Sequence, residues 1–295
     1  MHLKKIEQKI NSLNNLVLKV NNEKNIFLIQ IMKLNQQLSF FTKNAILNKR
    51  IILSIQKQYN VKNDLLNERT IFNKLNFLTK KMNKNLWVYI TEEQKYNTDS
   101  YSRYEKNIIQ NNYKKRDDFI VIGNHAKEFC EKNQFNILKY FPNDNKYKFL
   151  SNELVTITKI LFASGVYANV RFVINSNKNY DGFFTVLPIN KFDIDKFVNA
   201  NYKDLTSIMD ISKYKIYPNI NDFINTEINI FLENSINALI CESSFYSSKN
   251  GLVTTNKIIK QVDDEKTKLH KQISRIKSEK QIEEITLLTR SKRDI

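Results

Sequence analysis

Ile122-Gly123-Asn124-His125 closes an apolar run, Phe119-Ile120-Val121, and stands where a dinucleotide-binding turn would begin. Such a turn needs three glycines, for its tightness and for close approach of backbone to pyrophosphate. One is present, so nucleotide binding is not expected. No glycine precedes a Gly-Lys-Ser/Thr triplet, which excludes a phosphate-binding P-loop. His2, His125 and His270 are scattered and lack metal-ligand spacing. Cys130 reads as a helix-packing cysteine rather than a nucleophile. Asp263-Asp264-Glu265 reads as a solvated helix face rather than a metal site. The sequence therefore predicts no catalytic residue, no cofactor and no metal site. Attention moves to the elements themselves.

The first 59 residues contain no glycine and no proline. Apolar residues recur there in steps of three and four: Leu3, Ile6, Ile10, Leu13, Val17, Val20, then Phe27, Ile31, Leu34, Leu38, Phe41 and Ala45. Up to Ala45, Lys24 is the one break, at a position where a polar residue sets register between paired helices. The steps resume at Ile52, Ile55 and Tyr59. This is the a/d seam of a coiled coil, and it needs a partner helix to leave water. A matching frame returns near the other end: Leu252, Thr255, Ile259, Val262, Lys266, Leu269, Ile273 and Ile276. Lys280 and Glu283 then fall on the seam while Ile282, Ile285 and Leu288 leave it, which marks a stutter or the end of pairing.

All four glycines and all three prolines lie between residues 123 and 251, so a globular block is expected between two long helices. Short apolar runs at 86–90, 119–122, 170–174 and 183–187 predict strands. Helical patterns at 126–131 and 151–162 lie between them, the second with Ser151 as N-cap. Residues 92–118 read as a helix or a long loop. A helix beginning at Phe223, capped by Asn221-Asp222, opens the last part. Continuous apolar strands alternating with helices place the block in the α/β class. The expected division is an N-terminal arm 1–80, a central α/β domain 81–218 and a C-terminal arm 219–295. The arms meet antiparallel, and the first alone would extend roughly 85 Å.

At 41% hydrophobic and 26% charged residues, with mean hydropathy −0.48, the composition predicts a soluble protein. No stretch approaches the roughly 20 apolar residues of a membrane span, so no direct membrane insertion is expected. Met1-His2-Leu3-Lys4-Lys5-Ile6 enters the heptads without an apolar signal region, and no secretory leader is expected. Two cysteines, Cys130 and Cys241, predict reduced structural thiols and a cytoplasmic location. Net charge +17 suits nucleic acid, an anionic membrane or an acidic protein. Lysine, asparagine and isoleucine are over-used together, as in an AT-rich genome, and no basic cluster is interleaved with stacking aromatics. Nucleic acid is therefore not the expected partner.

This architecture resembles the γ subunit of F-type rotary ATPases. The opening Met1 to Ile10 is similar to that family's entrance to its first helix. Asp118 to Cys130 resembles its strand–glycine–helix segment, and Thr185-Val186-Leu187-Pro188-Ile189 its strand end with proline. Tyr217-Pro218 before a helix, Ala238-Leu239-Ile240-Cys241-Glu242-Ser243, and Asn256 match further positions. The C-terminal signature is kept at Ile276 and Glu279 but departs at Lys277, Ile282 and Thr286-Leu287. The Gly-rich run after the first central strand is replaced by Thr91-Glu92-Glu93-Gln94-Lys95-Tyr96.

The resemblance implies an antiparallel coiled-coil shaft with a Rossmann-like α/β domain between its arms. It implies a non-catalytic rotor, coupling ATP turnover in partner α and β subunits of an F-type-like hexamer to rotation or force. Shaft contacts with the catalytic head would come from Arg275, Lys277, Glu279, Lys280, Ile285, Leu287, Leu288 and Arg290. An ε-like subunit or adaptor would bind the globular end, and the complex would sit at the inner face of the cell membrane. The departures suggest a specialised homologue, and by analogy the resemblance implies a mycoplasma-type complex such as a gliding motor. The γ subunit of an ordinary proton-translocating ATP synthase, and a structural or nucleic-acid-associated coiled-coil protein, are the alternatives.

Overall fold

The computed structural model describes residues 2–61, 63–66, 84–93, 101–112, 116–143, 150–176, 178, 182–192, 194–197, 211 and 214–291, with side chains other than those of 2, 195, 196 and 288–291. The chain forms two compact units, Met32–Ser247 and Met1–Ile31 with Ser248–Ile295. Two helices, α1 (His2–Tyr59) and α5 (Ile220–Ser291), contribute to both.

The larger unit is built on five strands: β1 (Lys84–Ile90), β2 (Asp118–Ile122), β3 (Asn136–Phe141), β4 (Tyr167–Val173) and β5 (Phe184–Leu187). Their order is β3-β2-β1-β4-β5. The first four run parallel, and β5 pairs antiparallel with β4. Three helices join them: α2 (Ser102–Asn111), α3 (Asn124–Lys132) and α4 (Leu150–Ala163).

The central strands are buried on both faces, as a parallel sheet covered by helices requires. Side chains alternate between the faces with period two. Leu86, Val88, Ile90, Ile120, Ile122, Val170 and Phe172 point into one core, which α4, the first part of α5 and the 38–55 stretch of α1 close. Trp87, Tyr89, Phe119 and Val121 point into the other, against Tyr104 and Ile108 of α2 and Ala126, Phe129 and Cys130 of α3. The unit is thus three layers, helix–sheet–helix.

Asp117 and Asp118 tie the strands together at the start of β2. Asp117 accepts hydrogen bonds from the Asn85 amide at 2.8 Å and Trp87 Nε1 at 2.7 Å. Asp118 accepts from Asn136 Nδ2 and Tyr167 Oη, each at 2.7 Å. Each buried carboxylate is therefore well provided with donors, as burial of charge demands.

The four strands expected from apolar runs are present. β3 was not expected, because Asn-Ile-Leu-Lys-Tyr-Phe is an edge strand, largely exposed, and lacks an apolar run. Two expected caps are corrected. Ser151 stands inside α4, which begins at Leu150. The last helix begins at Ile220, and its cap is Asn219, whose Oδ1 accepts the Asp222 amide at 2.9 Å while its Nδ2 donates to Asp222 Oδ2 at 2.6 Å. An asparagine preceding the helix with an acid three residues on is a reciprocal cap. Within 92–118 the described part is α2 with its flanks; 94–100 and 113–115 lie outside the described residues.

The smaller unit is a pair of helical segments. Ile6, Ile10 and Leu269 are buried against one another, with Leu13, Ile273 and Ile276 packed around them. Lys9 Nζ lies 2.6 Å from Glu265 Oε1. The Phe27 ring lies against Gly251, 2.5 Å from where a β-carbon on that glycine would stand. Partners that advance along α1 retreat along α5, so within this unit the segments run antiparallel.

Candidate functional site

In an open α/β sheet, ligands bind beyond the carboxyl ends of the strands, where the strand order reverses. Here that point lies between β1 and β4, and the chain fills it with its own residues. Thr91, directly after β1, donates from its amide to Ile122 O at 2.9 Å and from Oγ1 to the same oxygen at 3.0 Å. Its hydroxyl also accepts the Ala126 amide at 3.1 Å. That amide is one of the free donors at the start of α3, the group that would face a phosphate in a dinucleotide site. Gly123 has φ of 94°, and a β-carbon there would collide with the Thr91 carbonyl and hydroxyl. Thr91 therefore explains this glycine, with no need of a pyrophosphate.

A second closure comes from α5. Ser244 Oγ donates to Glu92 Oε1 at 2.6 Å, and the Glu92 amide donates to Tyr101 Oη at 2.9 Å. Beyond β4, Ser176 Oγ donates to Glu242 Oε1 at 2.7 Å, and Lys178 Nζ lies 2.9 Å from Glu242 Oε2. Tyr104 Oη donates to the Ser176 carbonyl and accepts the Ser176 amide. Glu242 is 1% exposed, and its ion pair and hydrogen bond offset the desolvation of its charge. Burial pushes the Glu92 carboxyl above the ordinary carboxylate range, while the Ser244 hydroxyl pulls it back. The two glutamate contacts fasten α5 across the crest of the sheet.

None of these clamp residues was singled out as functional from the sequence. One signal was available. Ile228, Leu232, Ser235, Leu239 and Glu242 share one helical face, and a carboxylate in such a buried line requires a partner.

His125 lies beside this crest. Its Nε2 is 2.7 Å from Glu105 Oε1, its ring stacks on Tyr101, and Glu105 also accepts from Tyr89 Oη at 3.0 Å. Cys130 and Cys241 are buried free thiols. Burial, with Glu105 nearby, pushes the Cys130 thiol up to about 12. Burial, with Glu92 nearby, pushes Cys241 up to about 11.

The structure places the expected seam residues as follows. Ile6, Ile10, Val20, Leu38, Val262 and Leu269 are buried; Leu3, Leu13, Val17, Phe27, Ile31, Leu34, Phe41, Leu252, Ile259, Ile273 and Ile276 are half-buried. It brings together Ile6, Ile10, Leu13, Leu269, Ile273 and Ile276. The polar breaks Lys24 and Lys266 are half-buried. Of the expected head contacts, Arg275, Lys277, Glu279, Lys280, Ile285 and Leu287 are exposed, and the side chains of Leu288 and Arg290 lie outside the described residues. Asp263 and Glu265 engage Lys266 and Lys9. Among the described residues no helix is long and apolar enough to cross a membrane.

No protein-family model matches the sequence. Among solved structures, a chain of the Tetrahymena thermophila mitochondrial ATP synthase central stalk/c-ring aligns with TM-score 0.50 at 13% identity, covering 81% of this chain and 98% of that one. A chain of the Euglena gracilis mitochondrial ATP synthase, from its OSCP/F1/c-ring, aligns with TM-score 0.48 at 12% identity, covering 99% and 96%. The fold is that of a rotary ATP synthase stalk chain. In sequence, the chain is 54% identical over 292 residues to "Uncharacterized protein UU050" of Ureaplasma parvum serovar 3, covering 98% of this chain and 94% of the relative. It belongs to the same family as that protein.

Proposed function

We propose that the chain is a γ-like central-shaft subunit of an F-type-like ATPase, coupling ATP turnover in partner α and β subunits to rotation or force. The observation that carries this reading is the antiparallel pairing of the two ends of the chain, fixed by Lys9–Glu265 and Phe27–Gly251. The stalk-chain fold supports it. So does the crest of the sheet, where a nucleotide would bind in an enzyme of this class and where Thr91, Ser244 and Glu242 stand instead.

In this reading the arms 1–80 and 219–295 form the shaft and 81–218 the globular end. The shaft has no covalent chemistry to perform. Its asymmetric surface meets the catalytic interfaces differently, and each interface favours a different nucleotide state through differential affinity. Arg275, Lys277, Glu279 and Lys280 supply the charged face of that surface, and Ile285 and Leu287 the apolar bearing. The departures at Lys277, Ile282 and Thr286-Leu287 favour a specialised complex over the ordinary synthase. A mycoplasma-type force generator, as in gliding, is one such complex; it would lie in the cytoplasm, peripheral to the membrane, with an ε-like subunit or adaptor at its globular end.

Native affinity purification from the source cell tests this. P-loop ATPase chains are expected to co-purify stoichiometrically. Their absence from a gentle preparation would refute the proposal.

A further inference from the structure

Within the sheet-bearing unit, the 32–59 stretch of α1 carries Lys33, Lys43, Lys49, Arg50 and Lys57 and no aspartate or glutamate. One side of this stretch, with Leu38, Ala45, Ile46, Ile52 and Ile55, is buried in the core. On another side Met32, Phe40 and Leu47 are 68%, 60% and 44% exposed. Spacings of eight and seven residues put these three on one face of the helix. Lys33, Gln36 and Lys43, also exposed, share that face. Single exposed apolar residues need no explanation, but an aligned set about 22 Å long on an acid-free stretch of helix does.

We propose that this face docks an acidic amphipathic helix from a partner protein. Apolar side chains of the partner would seat on Met32, Phe40 and Leu47, and its carboxylates would face Lys33. Charge complementarity selects this occupant. A second copy of the chain would oppose one acid-free face to another in a protein of net charge +17. An anionic bilayer takes helices whose apolar face is continuous and whose cations flank it. Here Gln36 and Lys43 interrupt the apolar line itself. The surface lies on α1 of the sheet-bearing unit and stands whether or not the chain is a rotor.

The test titrates the full-length chain with a labelled peptide of about 20 residues, glutamate-rich with leucines at helical spacing. A scrambled peptide of the same composition and phosphatidylglycerol vesicles run in parallel. The helical peptide is expected to bind at least about tenfold tighter than the scrambled one. Phe40→Glu should weaken it about tenfold while the chain keeps its fold, because the ring is largely exposed and its one ring contact among the described residues is edge-on to Phe41. Lys33→Glu should weaken it too, and a peptide with lysine in place of the facing glutamate should recover the loss. Equal binding of the two peptides, or insensitivity to Phe40→Glu, would overturn the proposal. So would self-association or vesicle binding that Phe40→Glu abolishes.

Discussion

Ser244 on the last helix donates a 2.6 Å hydrogen bond to Glu92 at the end of the first strand. With Glu242 on Ser176 and Lys178, it fastens α5 over the point where a ligand would enter an open α/β sheet. The clamp makes that end of the sheet a mount for a helix.

Glu92 gives this clamp a pH dependence. Burial raises its pKa in the folded protein. It therefore binds its proton more tightly folded than unfolded, and favours folding most below the ordinary glutamate value of about 4.3. That contribution is lost as pH rises through the raised value. Glu92→Gln is expected to raise the melting temperature at neutral pH, with the gain shrinking towards pH of about 4. A gain that is constant with pH would contradict the assignment. Ser244→Ala should cost about 1 kcal/mol at neutral pH by removing the donor, measured by denaturant unfolding of the sheet-bearing unit.

Gly251 sits inside a helix, where alanine is normally preferred by about 1 kcal/mol. The Phe27 ring occupies the place of its β-carbon. Gly251→Ala should therefore destabilise the chain by about 1–3 kcal/mol through overpacking. Phe27→Leu combined with it should restore part of the loss, a non-additivity that marks direct contact. Additive effects in thermal melts would count against the pairing. Cysteines placed at 27 and 251 should also be joined by a short bismaleimide within one chain rather than between two.

The two native thiols should be inert. Burial lifts Cys130 to about 12 and Cys241 to about 11, so the thiolate that reacts is scarce at neutral pH. A maleimide label is expected to add nothing to the folded protein over the time it fully labels the unfolded one. Rapid labelling of either thiol in the native state would contradict its buried placement.

Much of this fold was legible in the sequence, for physical reasons. β2 reads as a strand because Phe119 to Ile122 are buried on both faces and so unbroken in apolar character. β3 was illegible because an exposed edge strand needs no apolar run. Thr91 and Ser244 were invisible for a different reason: their roles depend on partners 35 and 152 residues away, and no local pattern encodes such a pairing. The caps failed narrowly. Asn219, not Asn221, accepts the Asp222 amide, and two nearby asparagines before one helix cannot be ranked by type alone.

The exposed end of α5 separates stability from function. Ile285→Asp and Leu287→Asp replace exposed side chains and should change stability by no more than about 0.5 kcal/mol. On the rotor reading they should still lower ATP turnover, or its coupling, in the assembled complex. Unchanged turnover together with unchanged assembly would remove these residues from the bearing surface.

The central claim, that the chain is the shaft of a rotary ATPase, is tested most directly by the native mass of the complex purified through a tag on this chain. The account predicts one copy of the chain in a ring of six P-loop ATPase subunits. A free monomer, a homodimer, or a complex without P-loop subunits would contradict it.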